Sequence, residues 1–251
     1  DRYRLQDCIG RGAMGMVYFA QDLALNRAVA VKILDERLFY DPSAKQRFTR
    51  EARALATVQH PNVVSVYDRG ETPEGIHYLV MERLQGASLS ELAQSIADQG
   101  SSDAALAGVL EEVSDEAWPR RCARWARLLA DGLQLAHEAG LVHRDIKPAN
   151  VFLTTKDRVV LLDFGIVSAD DQEALTATDT AIGTPAYMAP EQTDPAWGRV
   201  ATPALDIYGL GATFYDLLTG CQPYSGQPAQ ILAKQQSHDP KPILERAPDL
   251  P

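Results

Sequence analysis

The stretch that most constrains this chain is His143-Arg144-Asp145-Ile146-Lys147-Pro148-Ala149-Asn150, followed by Val151-Phe152-Leu153, a polar turn, Val159-Val160-Leu161-Leu162 and Asp163-Phe164-Gly165. Two polar clusters bracket two short apolar runs, and the runs flank Thr154-Thr155-Lys156-Asp157. Branched and aromatic residues on either side of such a turn predict a β-hairpin. That hairpin would carry Asn150 at the start of its first strand and Asp163 at the end of its second. Asp145, Asn150 and Asp163 then face one opening. A hard divalent cation takes oxygen ligands, and a hydroxyl nucleophile needs an acceptor for its proton. A carboxylate, an amide and a second carboxylate therefore suit a magnesium phosphoryl-transfer site. A loop that is polar only because it is exposed is the weaker alternative.

With 251 residues, 45% of them hydrophobic, the chain can bury a sizeable core in one large domain or two closely joined lobes. The formal net charge of -10 supplies no basic face for a nucleic-acid backbone and makes anionic membranes unattractive. Cys8, Cys122 and Cys221 are few, scattered and odd in number, which argues against a disulfide framework or a CxxC metal site. A reducing, cytoplasmic setting is the expectation. No apolar run approaches the roughly 20 residues of a spanning helix, although an anchor outside this stretch of chain would not be visible in it.

The first ninety residues alternate as strands around one helix. Leu5 to Ile9 and Met16 to Ala20 flank Gly10-Arg11-Gly12-Ala13-Met14-Gly15. GxGxxG alone is weak, since a dinucleotide site uses the same letters, but there the glycines lead from strand into helix. Between two strands they suit a flap whose backbone N–H groups approach phosphate oxygens. Next, Ala28 to Leu34 is an apolar strand with Lys32 inside it, a charge that is costly there unless a carboxylate or phosphate meets it. A helix from about Pro42 to Val58 has Phe48, Ala52, Leu55 and Ala56 as its apolar face, with Glu51 beside it as the candidate partner of Lys32. Val63 to Tyr67 and Gly75 to Glu82 read as two more strands, and Met81 reads as a packing residue.

From Ser88 the pattern is helical. Residues Asp98 to Glu116 hold six acidic side chains and no lysine or arginine, and read as a surface insertion, assigned to residues 98–118. Trp118-Pro119 opens a helix to about Ala139, on which Arg120, Arg124 and Arg127 share a face. Whether the acidic segment folds onto that stripe or both remain solvated is left open by the sequence. Residues Ser168 to Ile182 are polar and threonine-rich and precede Gly183-Thr184-Pro185-Ala186-Tyr187-Met188-Ala189-Pro190-Glu191. A further helix, about Pro203 to Thr219, buries Asp206 on an apolar face, where an acid is expected to accept backbone hydrogen bonds. Another helix is expected around Pro228 to Gln236.

The motifs H-R-D-x-x-x-x-N and D-F-G, the glycine turn, the strand lysine and Gly183 to Glu191 occur in one order over roughly Tyr3 to Pro240. On them the chain resembles a eukaryotic-type (Hanks-type) serine/threonine protein kinase, most similar to bacterial members. The resemblance implies an α+β, two-lobed protein kinase fold. Residues 1–83 would form an N-lobe with a five-stranded antiparallel sheet and one helix, and residues 84–251 a mainly helical C-lobe. It implies ATP between the lobes and Mg²⁺, with Mn²⁺ as an alternative ion. Ile9, Gly10, Arg11, Gly12, Ala13, Met14, Gly15, Val17, Ala30, Lys32, Met81, Glu82, Leu84 and Phe152 would contact the nucleotide, with Glu82 to Leu84 as the hinge.

Lys32, oriented by Glu51, would hold the α and β phosphates, and Asn150 and Asp163 would ligate the metal. Asp145 would take the acceptor hydroxyl's proton and Lys147 offset charge on the γ-phosphate. Lys147 and Gly183-Thr184 match the serine/threonine class, and Thr184 and Glu191 would belong to a platform for protein substrates. Arg144 would pair with a phosphate on the activation segment, with Thr176 and Thr178 as expected autophosphorylation sites ahead of Thr180. Self-association for trans-autophosphorylation follows from the same resemblance.

Two features depart from the family pattern. Phe152 stands where a smaller aliphatic residue usually lies beneath the adenine. The family's last helices, one bearing an arginine partner for Glu191, cannot be placed before Pro251, so the C-lobe reads as truncated, either a trimmed fragment or a shortened lobe. A nucleotide-binding pseudokinase or scaffold is the rival reading, but its usual mark, loss of the lysine or of a catalytic aspartate, is absent. A small-molecule phosphotransferase is disfavoured by the protein-substrate platform.

Overall fold

The computed structural model describes residues 2–12, 15–35, 42–164, 185–192, 201–248 and 250. The first lobe is a sheet of β1 (Tyr3–Gly12), β2 (Gly15–Asp22), β3 (Arg27–Leu34), β4 (Val66–Glu71) and β5 (His77–Glu82). Its order is β1-β2-β3-β5-β4, with every neighbouring pair antiparallel. Side chains alternate between faces along a strand. Accordingly Val29 and Val31 of β3 pack with Ala20, Val80, Tyr3 and Tyr78 on the outer face. Ala30 joins Ala52, Leu79, Met81 and Val160 on the inner one. Lys32, two residues beyond Ala30, is thereby aimed inward.

Helix α1 (Pro42–Thr57) follows the sheet's first three strands. Phe48, Ala52 and Leu55, four and three residues apart, are each 1% exposed. Full burial of a Phe or Leu side chain contributes roughly 1.5–3 kcal/mol, so this stripe, rather than helix propensity, holds α1 against the sheet. Ala56, expected on the same face, is exposed, because it lies a residue beyond the stripe.

The second lobe starts with β6 (Gly86–Ser88), which pairs with the hairpin of β7 (Val151–Thr154) and β8 (Val159–Leu161). The hairpin is where the spacing of polar and apolar residues predicts it. Around it lie α2 (Leu89–Gln99), α3 (Ser102–Ala107), α4 (Trp118–Glu138), α5 (Pro203–Thr219), α6 (Pro228–Ser237) and the short α7 (Ile243–Arg246). Ser88 caps α2 in a reciprocal box with Glu91, and Gly100 ends it at φ 66°. On α4, Cys122, Trp125, Leu129, Leu133 and Ala136 recur every three or four residues and are buried. The lobes share one core, in which Leu55, Val58 and Val63 pack with Leu129, Leu133 and Leu161. Among the described residues no helix is long and apolar enough to cross a membrane.

Two expectations change. Val63 to Ser65 precede β4 instead of opening it; Val63 bridges to Leu161 and Val64 N–H donates to the Leu161 carbonyl at 3.0 Å. Their apolar side chains reflect burial at the lobe junction. The acidic segment 98–116 is no surface appendage, since Ala105, Leu106 and Leu110 enter the main core. Its acids occupy the outer face of a segment that carries a buried apolar one.

Candidate active site

Strand β3 delivers Lys32, 7% exposed, to the junction of the lobes. Its Nζ donates to Asp163 Oδ1 at 2.7 Å. Asp163 follows β8 and has φ 50°, a left-handed backbone that turns its carboxylate toward the lysine. Burial opposes the charge on Asp163, but the Lys32 ammonium outweighs it, with His143 and Lys147 adding to its effect. The carboxyl is held below its ordinary value. Glu51, expected to orient Lys32, lies elsewhere in the junction. Among the described residues no ion pair joins it to the lysine, and its Oε1 is 3.7 Å from Arg50 Nη2.

The catalytic-loop residues gather around Asp145. Lys147 Nζ donates to both carboxylate oxygens, at 3.0 and 2.7 Å. Asn150, in the 3-10 turn Pro148–Asn150, donates Nδ2 to the Asp145 carbonyl at 2.7 Å and to Oδ2 at 2.9 Å. This leaves Asn150 Oδ1 as the amide's acceptor. The loop is anchored from below by Asp206 of α5, which is fully buried. Asp206 accepts from His143 N–H at 2.8 Å, Arg144 N–H at 2.7 Å and His137 Nε2 at 2.7 Å. The backbone bonds expected of this acid thus go to the loop itself. His143 Nε2 reaches the Leu162 carbonyl at 2.7 Å, and because a carbonyl only accepts, that nitrogen carries the proton. The same ring packs on Phe164 with centroids 4.7 Å apart.

Beneath the sheet, Ala30 and Met81 are buried in one cluster on which Val17 and Leu84 pack. Ile9 is 52% exposed. Phe152 is half-buried opposite Ser88. Glu82 pairs with Arg158 Nη2, tying the strand end to the hairpin turn. In the turn between β1 and β2, a Cβ on Gly15 would sit 2.0 Å from the Ile33 carbonyl oxygen, so packing demands glycine there. Among the described residues a Cβ at Gly12 would meet nothing within 4 Å, and one at Gly10 only ordinary contact with Val17 at 3.5 Å. Packing against the described residues does not require those two glycines. Arg11 lies in β1; Ala13 and Met14 fall outside the described residues.

Arg144 has φ 67°, and its Nε is buried without a hydrogen-bond partner among the described residues. It lines a cavity of about 160 Å³ with Arg50, Glu51, Leu141 and Phe164. Glu191 is half-buried in the 3-10 turn Pro190–Gln192. Thr176, Thr178, Thr180 and Thr184 lie outside the described residues. Sequence reasoning missed Tyr187, whose hydroxyl donates to Asp216 Oδ2 at 2.6 Å, and Gln235, whose Nε2 donates to the Pro185 and Met188 carbonyls at 2.7 and 3.2 Å. Neither is marked by spacing; each is a polar residue whose partner is distant in sequence.

A strand lysine on one carboxylate and a hydrogen-bonded Asp-Lys-Asn loop, set between a β-rich and a helical lobe, form the scaffold of a two-lobed phosphotransferase. Residues 3–248 match the protein kinase domain family, and the chain belongs to that family. It is 39% identical to serine/threonine-protein kinase PknA of Mycobacterium tuberculosis over 254 residues, which cover 100% of this chain and 54% of PknA. It is 37% identical to serine/threonine-protein kinase PknB of Mycolicibacterium smegmatis, covering 100% of this chain and 38% of that protein. The chain thus spans about half or less of these relatives' length. The crystal structure of the Mycobacterium tuberculosis PknI kinase domain superimposes with a TM-score of 0.70 at 28% identity, covering 99% of this chain and 83% of that one.

Proposed function

We propose that this domain transfers the γ-phosphoryl group of ATP to serine and threonine hydroxyls of proteins. The observation that carries the reading is the convergence of Lys32 on Asp163 with Lys147 and Asn150 on Asp145 at one lobe junction. Asp145 accepts the hydroxyl proton as the substrate oxygen bonds to the γ-phosphorus and the bond to the β–γ bridging oxygen breaks, releasing ADP. The two donors on Asp145 orient its carboxylate, and Lys147 balances charge gathering on the transferred group. Lys32 exchanges Asp163 for the α and β phosphates, and Glu51 is its alternative partner. Val17, Ala30, Met81 and Leu84 form an apolar ceiling for the adenine, with Ile9 at its edge and Phe152 beneath. Gly10 and Gly12 leave room for phosphate oxygens.

The oxygens of Asp163 and Asn150 suit a magnesium ion, which binds through one or two protein oxygens together with substrate phosphates. Bound there, the ion would neutralise charge on the phosphates.

Activation by autophosphorylation in trans is part of the same reading. A phosphothreonine brings nearly two negative charges, and Arg50 and Arg144 line one cavity, where Arg144 Nε has no hydrogen-bond partner among the described residues. Thr176 and Thr178 are the proposed acceptors that would carry that phosphate. Radiolabel transfer from ATP to the protein itself and to a generic protein substrate tests the activity. Lys32→Met and Asp163→Asn are expected to abolish most of it in folded protein, and wild-type turnover by Asp163→Asn would overturn the metal assignment. Intact mass after incubation with ATP and Mg²⁺ should show phosphate that Thr176→Ala/Thr178→Ala lacks.

A further inference from the structure

Gln192 ties the segment 185–192 to the backbone of the catalytic loop. Its Oε1 accepts from Ala189 N–H at 2.8 Å, and its Nε2 donates to the Arg144 carbonyl at 3.0 Å. The partners fix the amide's orientation, because an N–H only donates and a carbonyl only accepts. Arg144 has φ 67°, a left-handed conformation that is unfavourable for a residue with a side chain. It is therefore a residue its surroundings must hold, and two side chains do so. Asp206 Oδ1 takes the Arg144 N–H at 2.7 Å and fixes the peptide before it. Gln192 fixes the peptide after it.

That second peptide joins Arg144 to Asp145. Because it is planar, orienting its carbonyl also orients the Asp145 N–H and Cα. On the far side the same N–H lies 3.4 Å from His143 Nδ1. The segment bearing Gln192 is itself held by Gln235 through the Pro185 and Met188 carbonyls and by Asp216 through Tyr187. A displacement of this segment thus reaches Asp145 through one side chain and one peptide plane.

We infer that Gln192 is a positioning residue for phosphoryl transfer, setting through the Arg144 carbonyl the peptide plane that carries Asp145. The acceptor surface and the proton-accepting carboxylate are thereby kept in register. This inference rests on the kinase reading above.

Gln192→Glu tests it with nearly unchanged shape. As a carboxylate, residue 192 still accepts from Ala189 but sets an acceptor against the Arg144 carbonyl. Once protonated it again accepts with one oxygen and donates with the other. A small misplacement of a catalytic group costs on the order of 10- to 100-fold in rate, so kcat for a protein substrate should fall by about that range at pH 8, with KM for ATP little changed. The ratio of variant to parent kcat should rise as pH falls toward about 5.5, because a facing carbonyl raises a carboxyl above its usual value near 4.3. Gln192→Ala should be slow with a ratio that does not change with pH. Parent-like kcat for Gln192→Glu at pH 8, or a flat ratio, overturns the inference. If the parent transfers no phosphate, the kinase reading fails, and amide exchange at residues 144–146 then judges the tie alone: faster exchange in Gln192→Glu supports it and unchanged exchange overturns it.

Discussion

Arg121 on α4 and Asp157 at the tip of the β7–β8 hairpin meet at 2.6 Å, with Arg121 fully buried. Asp157 also receives Arg124 Nη2 at 2.6 Å and the Trp125 indole at 2.9 Å. Removing the acid leaves a guanidinium buried without its counter-charge, the costly way to break an ion pair. Asp157→Ala should lose about 3–5 kcal/mol in urea unfolding. Arg121→Met combined with Asp157→Asn should recover part of that loss, since the buried charge goes with its partner. Additive losses would show that the two residues act independently.

The acidic segment yields a second pair of outcomes. Leu106 is 1% exposed in the main core, and a buried Leu→Ala change costs about 2–5 kcal/mol, so Leu106→Ala should destabilise strongly and equally at low and high salt. Glu116 accepts three bonds from Arg124, at 2.8, 3.0 and 3.2 Å, across a partly solvated contact. Glu116→Gln should cost less than about 1 kcal/mol, and less still at high salt. Urea midpoints at two salt concentrations distinguish the two.

These two cases also show where the sequence is legible. Hairpin, strand lysine, α1, α4 and α5 stand out because their periodicity or residue chemistry is local. The fold of segment 98–116 does not, because its six acids stand out in the composition while Ala105, Leu106 and Leu110 decide its burial. Helical spacing puts Arg120, Arg124 and Arg127 on one face. Of these only Arg124 meets the acidic segment, Arg127 pairs with Asp131 at 3.2 Å, and the deeper contact belongs to Arg121, whose Nη2 donates to Ser114 Oγ at 2.8 Å. A helix pattern gives the faces but not which face a non-periodic neighbour covers. Likewise burial of Lys32 calls for a carboxylate or a phosphate, with Glu51 as the candidate, yet Asp163 meets the same requirement and is the partner the geometry shows.

The Lys32–Asp163 pair should leave a signature in acid. Asp163 is held below its ordinary value of 3.8 in the folded protein. A depressed carboxyl contributes stability above its unfolded pKa, and that contribution is lost as pH falls through the folded one. The stability gap between parent and Asp163→Asn should therefore be constant at neutral pH and close progressively below pH 3.8. Urea midpoints from neutral pH downward check this, and a gap that widens in acid would contradict it.

The cysteines should differ in reactivity. Burial pushes the Cys122 thiol up to about 12, while Cys8 is exposed on β1. Thiolate is the reactive form. In native protein at pH 8, iodoacetamide should alkylate Cys8 first and leave Cys122 untouched until denaturant is added, as read by peptide mass spectrometry.

Two glycines of α5 make the closing contrast. A Cβ at Gly209 would lie 2.9 Å from both the Cβ and the carbonyl oxygen of Ile146, the neighbour of Asp145 and Lys147. Backbone cannot yield cheaply, so Gly209→Ala should cost about 1–3 kcal/mol as overpacking does, and should lower kcat by shifting the loop. Two residues on, a Cβ at Gly211 meets nothing within 4 Å among the described residues. There the helix gains only the reduced freedom of the unfolded chain, and Gly211→Ala should stabilise by about 0.4–1 kcal/mol with kcat unchanged. Opposite signs for one substitution at two places on one helix would show that α5 supports the catalytic loop by close backbone approach, and equal signs would refute it.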